Sequence, residues 1–244
     1  MMEPALVLAG GLGTRLRAVV GMSTPKPMAM VGGEPFLHWL LRMLARQGVP
    51  AVYLSVGFLH DAISGALGDR FEGLDLHYVV EPEPLGTGGA VALAASRIAA
   101  PRFLVLNGDT LAAMDLQAFA AQARADAADL SIALAQTSDV GRYGAVLYEP
   151  DTRKVTGFAE KGGSGAGWIN AGVYMVDKAA LQRLDLPTRF SFERDLMADR
   201  LAQLDMRAWP GVQDFIDIGV PEDYALAQTK VPRLVGSSPE GGHA

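Results

Sequence analysis

Cysteine is absent from the 244-residue chain. Disulfides, thiolate nucleophiles and cysteine-bound zinc are therefore excluded, and any metal must be held by oxygen or histidine ligands. The four histidines, His38, His60, His77 and His243, show no metal-binding spacing, and no Ser-His-Asp arrangement stands out. Lysine and arginine form no run and are outnumbered, 21 against 27 acidic residues, for a formal net charge of −6. That balance lacks the footprint of a polynucleotide-binding surface, so no nucleic-acid partner is expected. No apolar stretch approaches the ~18 residues that span a bilayer, so no membrane partner is expected either. The opening residues lack the basic lead of a secretory signal, which points to a cytoplasmic location. Internal repeats, heptads and low-complexity blocks are also missing, which removes a fused hexapeptide-repeat region from consideration.

What is present is the composition of one compact domain: half of the residues are hydrophobic and a fifth are charged. Ala5 to Ala9 is a short apolar run that ends in Gly10-Gly11-Leu12-Gly13, as a buried parallel strand entering a tight loop would. Pro35 opens a helix with apolar positions Phe36, Leu37, Leu40, Leu41 and Leu44, and Gly48 stops it. Strands are expected over residues 52–56, 76–80 and 103–106, with helices near 59–67 and 87–98 between them. Asp115 or a neighbour caps an Ala-rich helix, and residues 130–135 form a further strand. Residues 144–148, 154–160 and 168–176 look like strands joined by short turns. Ser191 caps a helix reaching about Leu201, residues 215–218 form a late strand, and Pro221 starts the last helix. The expected fold is α/β: a Rossmann-like, mixed and mostly parallel sheet flanked by helices, in one domain over residues 1–230. Residues 231–244 are expected to be a flexible C-terminal tail.

The strongest chemical pattern is Gly10-Gly11-Leu12-Gly13-Thr14-Arg15-Leu16-Arg17, followed closely by Pro25-Lys26-Pro27-Met28. Small residues let backbone N–H groups turn toward phosphate oxygens, and Arg15 and Lys26 add cationic donors. The pattern is not a P-loop, because no Gly-Lys-Ser/Thr follows at the required spacing. It is not a dinucleotide fingerprint either, because Leu16 stands where the third glycine belongs. Proline on both sides holds Lys26 on a stiff loop. Asp217, flanked by Phe215, Ile216 and Ile218, is an acid that would be costly to bury without a partner, whereas Asp109, at the end of an apolar strand, reads alone as a turn or cap residue. Taken alone, Glu160-Lys161 reads as a surface ion pair, and Gly144 and the Asn170 segment read equally well as turns.

With both halves in place, the sequence resembles the nucleoside-diphosphate-sugar pyrophosphorylases, which couple a Gly-Gly-x-Gly-Thr-Arg-Leu loop to a Pro-Lys-Pro segment. The likeness continues in order through Pro84 to Ala90, Asn107-Gly108-Asp109, Phe158 to Lys161, Asn170-Ala171-Gly172 and Asp217-Ile218-Gly219. The resemblance implies the nucleotide-diphospho-sugar transferase fold and an enzyme that joins a nucleoside triphosphate to a sugar 1-phosphate, releasing pyrophosphate. It implies a magnesium ion on Asp109 and Asp217, and catalytic roles for Arg15, Lys26 and Asp109. Leu8, Ala9, Gly10, Gly11, Gly13, Thr14, Glu81, Gly86 and Thr87 would hold the nucleotide, with Thr87 also capping the next helix. Asn107, Gly144, Glu160, Lys161, Asn170 and Ala171 would hold the sugar phosphate.

Within that family, the segments around Phe36, Phe190-Ser191-Phe192-Glu193 and Phe215 to Tyr224 are most similar to the D-glycero-D-manno-heptose 1-phosphate guanylyltransferases, which implies GTP and a heptose phosphate as substrates. Glu81 or Glu83 would suit guanine, whose edge offers hydrogen-bond donors to a carboxylate. Uridylyl or thymidylyl transfer to a hexose or amino-sugar 1-phosphate is the alternative, and a non-catalytic nucleotide-sugar sensor a further one. The expected partners are small molecules, and the sequence leaves a homo-oligomer open.

Overall fold

The computed structural model describes residues 2–11, 16, 24–57 and 60–236. In chain order the strands are β1 (Ala5–Leu8), β2 (Met30–Val31), β3 (Glu34–Pro35), β4 (Ala51–Val56), β5 (Arg70–Phe71), β6 (Leu74–Val80) and β7 (Arg102–Asn107). They continue as β8 (Thr110–Ala113), β9 (Leu130–Thr137), β10 (Ala145–Tyr148), β11 (Val155–Ala159), β12 (Gly167–Asp177), β13 (Met206–Val212) and β14 (Asp214–Asp217). The α-helices are α1 (Phe36–Arg46), α2 (His60–Leu67), α3 (Gly86–Ala95), α4 (Leu116–Asp126), α5 (Lys178–Gln182) and α6 (Pro221–Gly236).

The main sheet has the order β13-β9-β12-β7-β1-β4-β6-β5. Strands β7, β1, β4 and β6 run parallel, whereas β12 is antiparallel to both its neighbours. Parallel strands covered on both faces need apolar residues at every position. Accordingly, Ala5 and Val7 enter one core while Leu6 enters the other, and Leu104 and Leu106 oppose Phe103 and Val105 in the same way. Helices α1, α4 and α6 cover the first face, with α3 and the segment Phe190 to Met197 on the second. From β1 the chain moves to β4 and β6, then returns to β1's other side as β7. The carboxyl ends of β1 and β7 therefore flank a topological switch point, where open α/β sheets hold ligands.

Several expected elements differ in the structure. Ser191 does cap its segment, accepting from the Arg194 N–H at 3.2 Å, but the turn that follows, Phe192–Ala198, is π-helical and a separate 3-10 turn covers Leu201–Gln203. Strands β8 and β13 were not foreseen. In β13, Pro210 cannot donate to a ladder, and the pairing with β9 shifts register between Trp209 and Val212 at the sheet's edge. The last helix runs to Gly236, so residues 231–236 are helix rather than tail. Val231 and Val235 hold it by burying against the first core, and Pro232 packs over Gly32, whose missing side chain makes the room.

Candidate active site

At the end of β7, Asn107-Gly108-Asp109 turns back so tightly that Gly108 donates its N–H to the Leu8 carbonyl at 3.0 Å. A Cβ on residue 108 would lie 2.5 Å from that oxygen, so glycine alone fits. The turn leads into β8, whose antiparallel partner β14 sets Asp217 opposite Thr110. The Ile218 N–H donates to the Asp109 carbonyl at 3.0 Å, and the two distant acids meet.

Lys26 stands between them, with Nζ 2.5 Å from Asp109 Oδ2 and 3.8 Å from Asp217 Oδ1. Its backbone belongs to a 3-10 turn, Lys26–Met28, entered through Pro25, whose carbonyl accepts the Met28 N–H at 2.8 Å. Gly219 donates to Asp217 Oδ1 at 2.7 Å. Burial first, and then the neighbouring charge of Asp109, raise the Asp217 carboxyl above its ordinary value, while Lys26 opposes them.

Beside this charge cluster opens a cleft of about 750 Å³, lined among others by Leu8, Gly10, Gly11, Glu81, Gly86 and Thr87. It joins a smaller pocket of about 170 Å³ that contains Lys26, Asn107 and Asp109 and shares Leu8, Gly11 and Thr87. Glu81 is fixed in the larger cleft: Ser55 Oγ donates to its Oε1 at 3.0 Å and the Leu85 N–H to its Oε2 at 3.1 Å. Glu83 lines the same cleft and is exposed. Ala9 does not reach either space, because it is buried and its N–H donates to the Ser55 carbonyl at 2.9 Å. Gly13, Thr14 and Arg15 lie outside the described residues.

Thr87 does not cap α3 with its side chain, which has Leu85 at its N-cap and no capping hydrogen bond. Its hydroxyl instead accepts the Phe192 N–H at 2.9 Å and donates to Glu193 Oε2 at 2.8 Å. The residues expected on the sugar side divide into two groups. Asn107 and Asn170 both reach the buried hydroxyl of Tyr174, Asn170 by a 2.7 Å donation. Gly172, at φ 70°, leaves room for Asn107, since a Cβ there would lie 2.9 Å from its amide nitrogen. Ala171 is fully buried, so only its backbone is available to a ligand. Gly144, at φ 79°, closes a turn against β11, where a Cβ would meet the Ala159 carbonyl at 2.5 Å. Glu160 and Lys161 follow β11 as exposed residues. The structure thus brings Lys26, Asp109 and Asp217 into contact, sets Asn107 in the smaller pocket with Lys26 and Asp109, and leaves Glu160 and Lys161 outside both pockets.

Ser55, Tyr174 and Glu193 were given no role from the sequence. Ser55 sits inside an apolar strand, and Tyr174 reads as core. Glu193 was visible only as part of Phe-Ser-Phe-Glu, which has no periodicity that marks a ligand. Among the described residues, no group of three or more His, Asp or Glu could hold a metal, and no helix is long and apolar enough to cross a membrane.

Residues 4–233 match the Nucleotidyl transferase family. The chain is 39% identical, over 95% of its length and 99% of the relative's, to the D-glycero-alpha-D-manno-heptose 1-phosphate guanylyltransferase of Aneurinibacillus thermoaerophilus. The enzyme of the same name from Campylobacter jejuni is 37% identical over 90% of this chain and 96% of its own. Among solved structures, HddC from Yersinia pseudotuberculosis superposes with a TM-score of 0.84 at 38% identity, covering 94% of this chain and 99% of that one. The same protein complexed with GMP-PN superposes at 0.83. The switch-point cleft with its lysine and paired acids and a family match that spans nearly the whole chain agree, and the chain belongs to the nucleotidyl transferases.

Proposed function

We propose that the protein condenses GTP with D-glycero-D-manno-heptose 1-phosphate to give GDP-heptose and pyrophosphate. The observation that carries this reading is the placement of Lys26 between Asp109 and Asp217 at the meeting of a base-sized cleft and a smaller pocket. The two guanylyltransferase relatives support the choice of base and sugar.

In this reading an oxygen of the sugar phosphate attacks the α-phosphorus of the triphosphate in line, and the bond to the departing pyrophosphate breaks. Both reactants are polyanions, so positioning and charge neutralisation supply the catalysis. Lys26 and Arg15 would follow the phosphate charge. Glu81 retains lone pairs beyond those used by Ser55 and Leu85, and would accept the N1–H and N2–H₂ of guanine. A Cβ on residue 10 would lie 2.9 Å from Glu81 Oε1, so glycine there leaves that carboxylate its place.

Asp109 and Asp217 fit a magnesium ion, which takes one or two carboxylates and leaves its other positions to water and phosphate. The ammonium of Lys26 already lies against both acids, as a cation-seeking pair would have it, and the raised Asp217 carboxyl is that of an acid short of positive charge. When bound there, the ion would neutralise phosphate oxygens. Pyrophosphate release should be measured for each common nucleoside triphosphate crossed with heptose, mannose, glucose and amino-sugar 1-phosphates, with and without Mg²⁺. GTP with the heptose phosphate is expected to give the highest kcat/KM and to require the metal. A preference for UTP or dTTP would overturn the assignment.

A further inference from the structure

One acid in the cleft has no part in the chemistry described so far. Glu193 lines the smaller pocket together with Lys26, Asn107 and Asp109, and it does not line the larger cleft that holds Glu81. A carboxylate in a site built for two polyanions repels them unless a cation, a metal ion or hydroxyl donors satisfy it. Among the described residues, its hydrogen bonds come from two hydroxyls, Thr87 Oγ1 at 2.8 Å and Ser191 Oγ at 3.2 Å. Among the described residues, Glu193 forms no three-acid group with Asp109 and Asp217 that could hold a metal. Both hydroxyls bond the same oxygen, Oε2, so these hydrogen bonds leave Oε1 of this pocket-lining residue uncommitted.

The position of this oxygen is fixed by the packing beneath it. The Gly88 N–H donates to the Phe190 carbonyl at 2.9 Å, and the Phe190 N–H donates to the Leu85 carbonyl at 3.1 Å. The Phe190 ring packs against α3, where a Cβ on Gly88 would sit 2.1 Å from it. Nearby, the Tyr174 hydroxyl is bonded by Asn170 and Asn107 and feels the charges of both Glu193 and Asp109. Glu193 therefore shares the smaller pocket with Asn107 and lies near the Tyr174 hydroxyl that both asparagines bond.

We propose that Glu193 determines specificity for the acceptor, its Oε1 accepting ring hydroxyls of a sugar 1-phosphate. This rests on the sugar-1-phosphate reading given above. Steady-state kinetics of the wild type, Glu193→Gln and Glu193→Ala test it, with the sugar 1-phosphate, its deoxy analogues and GTP varied in turn. A charge-assisted bond to a substrate hydroxyl predicts a KM for the sugar phosphate raised about tenfold or more in both variants, with the KM for GTP held within about threefold. The preference for the parent sugar over one of its deoxy analogues should collapse by a similar factor in Glu193→Ala. If Glu193 only repels the anionic substrates, Glu193→Gln will leave that KM unchanged or lower it, which overturns the proposal. A rise in the GTP KM alone, or equal rises in both KM values with a lowered Tm, overturns it in favour of a bracing role. A wild-type enzyme that turns over GTP with some sugar phosphate keeps the broader reading alive whatever the variants do; one that uses no sugar phosphate sinks both.

Discussion

Asp217 answers to two demands: β14 half-buries it, and Asp109 stands close enough to oppose its charge. For a carboxyl whose folded-state value lies above its unfolded one, the contribution to stability is complete below the unfolded value and is lost as pH rises through the folded one. The metal-free protein should therefore lose stability from this group as pH climbs above about 3.8. Asp217→Asn keeps an oxygen for the Gly219 N–H and removes the charge. Thermal melts without metal should show Tm unchanged or raised at neutral pH and a flatter pH profile. Turnover should fall about 100-fold, and the rise in Tm on adding Mg²⁺ should vanish. A variant with normal turnover would take Asp217 out of the site. Asp217 was legible from its apolar neighbours and Lys26 from its flanking prolines, whereas Asp109 alone reads as a turn residue and drew its place from the pairing with Asp217 and the family resemblance. That the Ala9 N–H is already taken by the Ser55 carbonyl was not legible, because a run of small residues does not reveal which backbone groups the neighbouring strand occupies. Glu193 was not, because its meaning depends on Thr87, which only the fold brings to it.

Helix α3 and the segment from Thr188 to Glu193 form a single unit built on glycine. Residues 86, 88 and 89 each press their backbone against that segment, and a Cβ on Gly89 would lie 2.4 Å from the Thr188 carbonyl. Gly88→Ala forces a methyl into the Phe190 ring and should destabilise the protein by about 1–3 kcal/mol. At the size of this chain that corresponds to about 2–4 °C in Tm per kcal/mol, measurable by calorimetry, and the KM for GTP should rise with it. An unchanged Tm would show that Phe190 gives way freely. The α1, α4 and α6 helices were readable from periodicity and capping; Asp115 does accept the Ala118 N–H at 2.8 Å. The π-helical turn was not, since Phe-Glu-Arg-Asp-Leu-Met-Ala has an ordinary helical pattern and the widening answers to Phe190 and Phe192 fitting under α3 and β12.

At the scale of the molecule, the two cores on either face of the sheet were implied by its uninterrupted apolar strands. The closure of the first core was not. Strands β8 and β14 pair with each other outside the main sheet, and α6 then crosses back over α1. Val231 and Val235 are buried in that crossing, so Val231→Ala with Val235→Ala removes four buried methyl groups. At about 0.8 kcal/mol for each, the pair should cost about 3 kcal/mol in denaturant unfolding, more if the cavity does not relax. Their loss should leave kcat close to that of the intact enzyme, because neither side chain touches the cleft.

On the roles proposed above, the tie from Leu85 and Thr87 to Phe190 and Glu193 couples the choice of nucleotide to the choice of sugar phosphate. Retargeting the enzyme to another nucleobase by exchanging the loop at residues 84–88 will move the threonine that steadies Glu193, and with it the range of glycosyl phosphates accepted. A swap of nucleotide preference that keeps the sugar preference intact will need the 188–193 segment transplanted along with the loop.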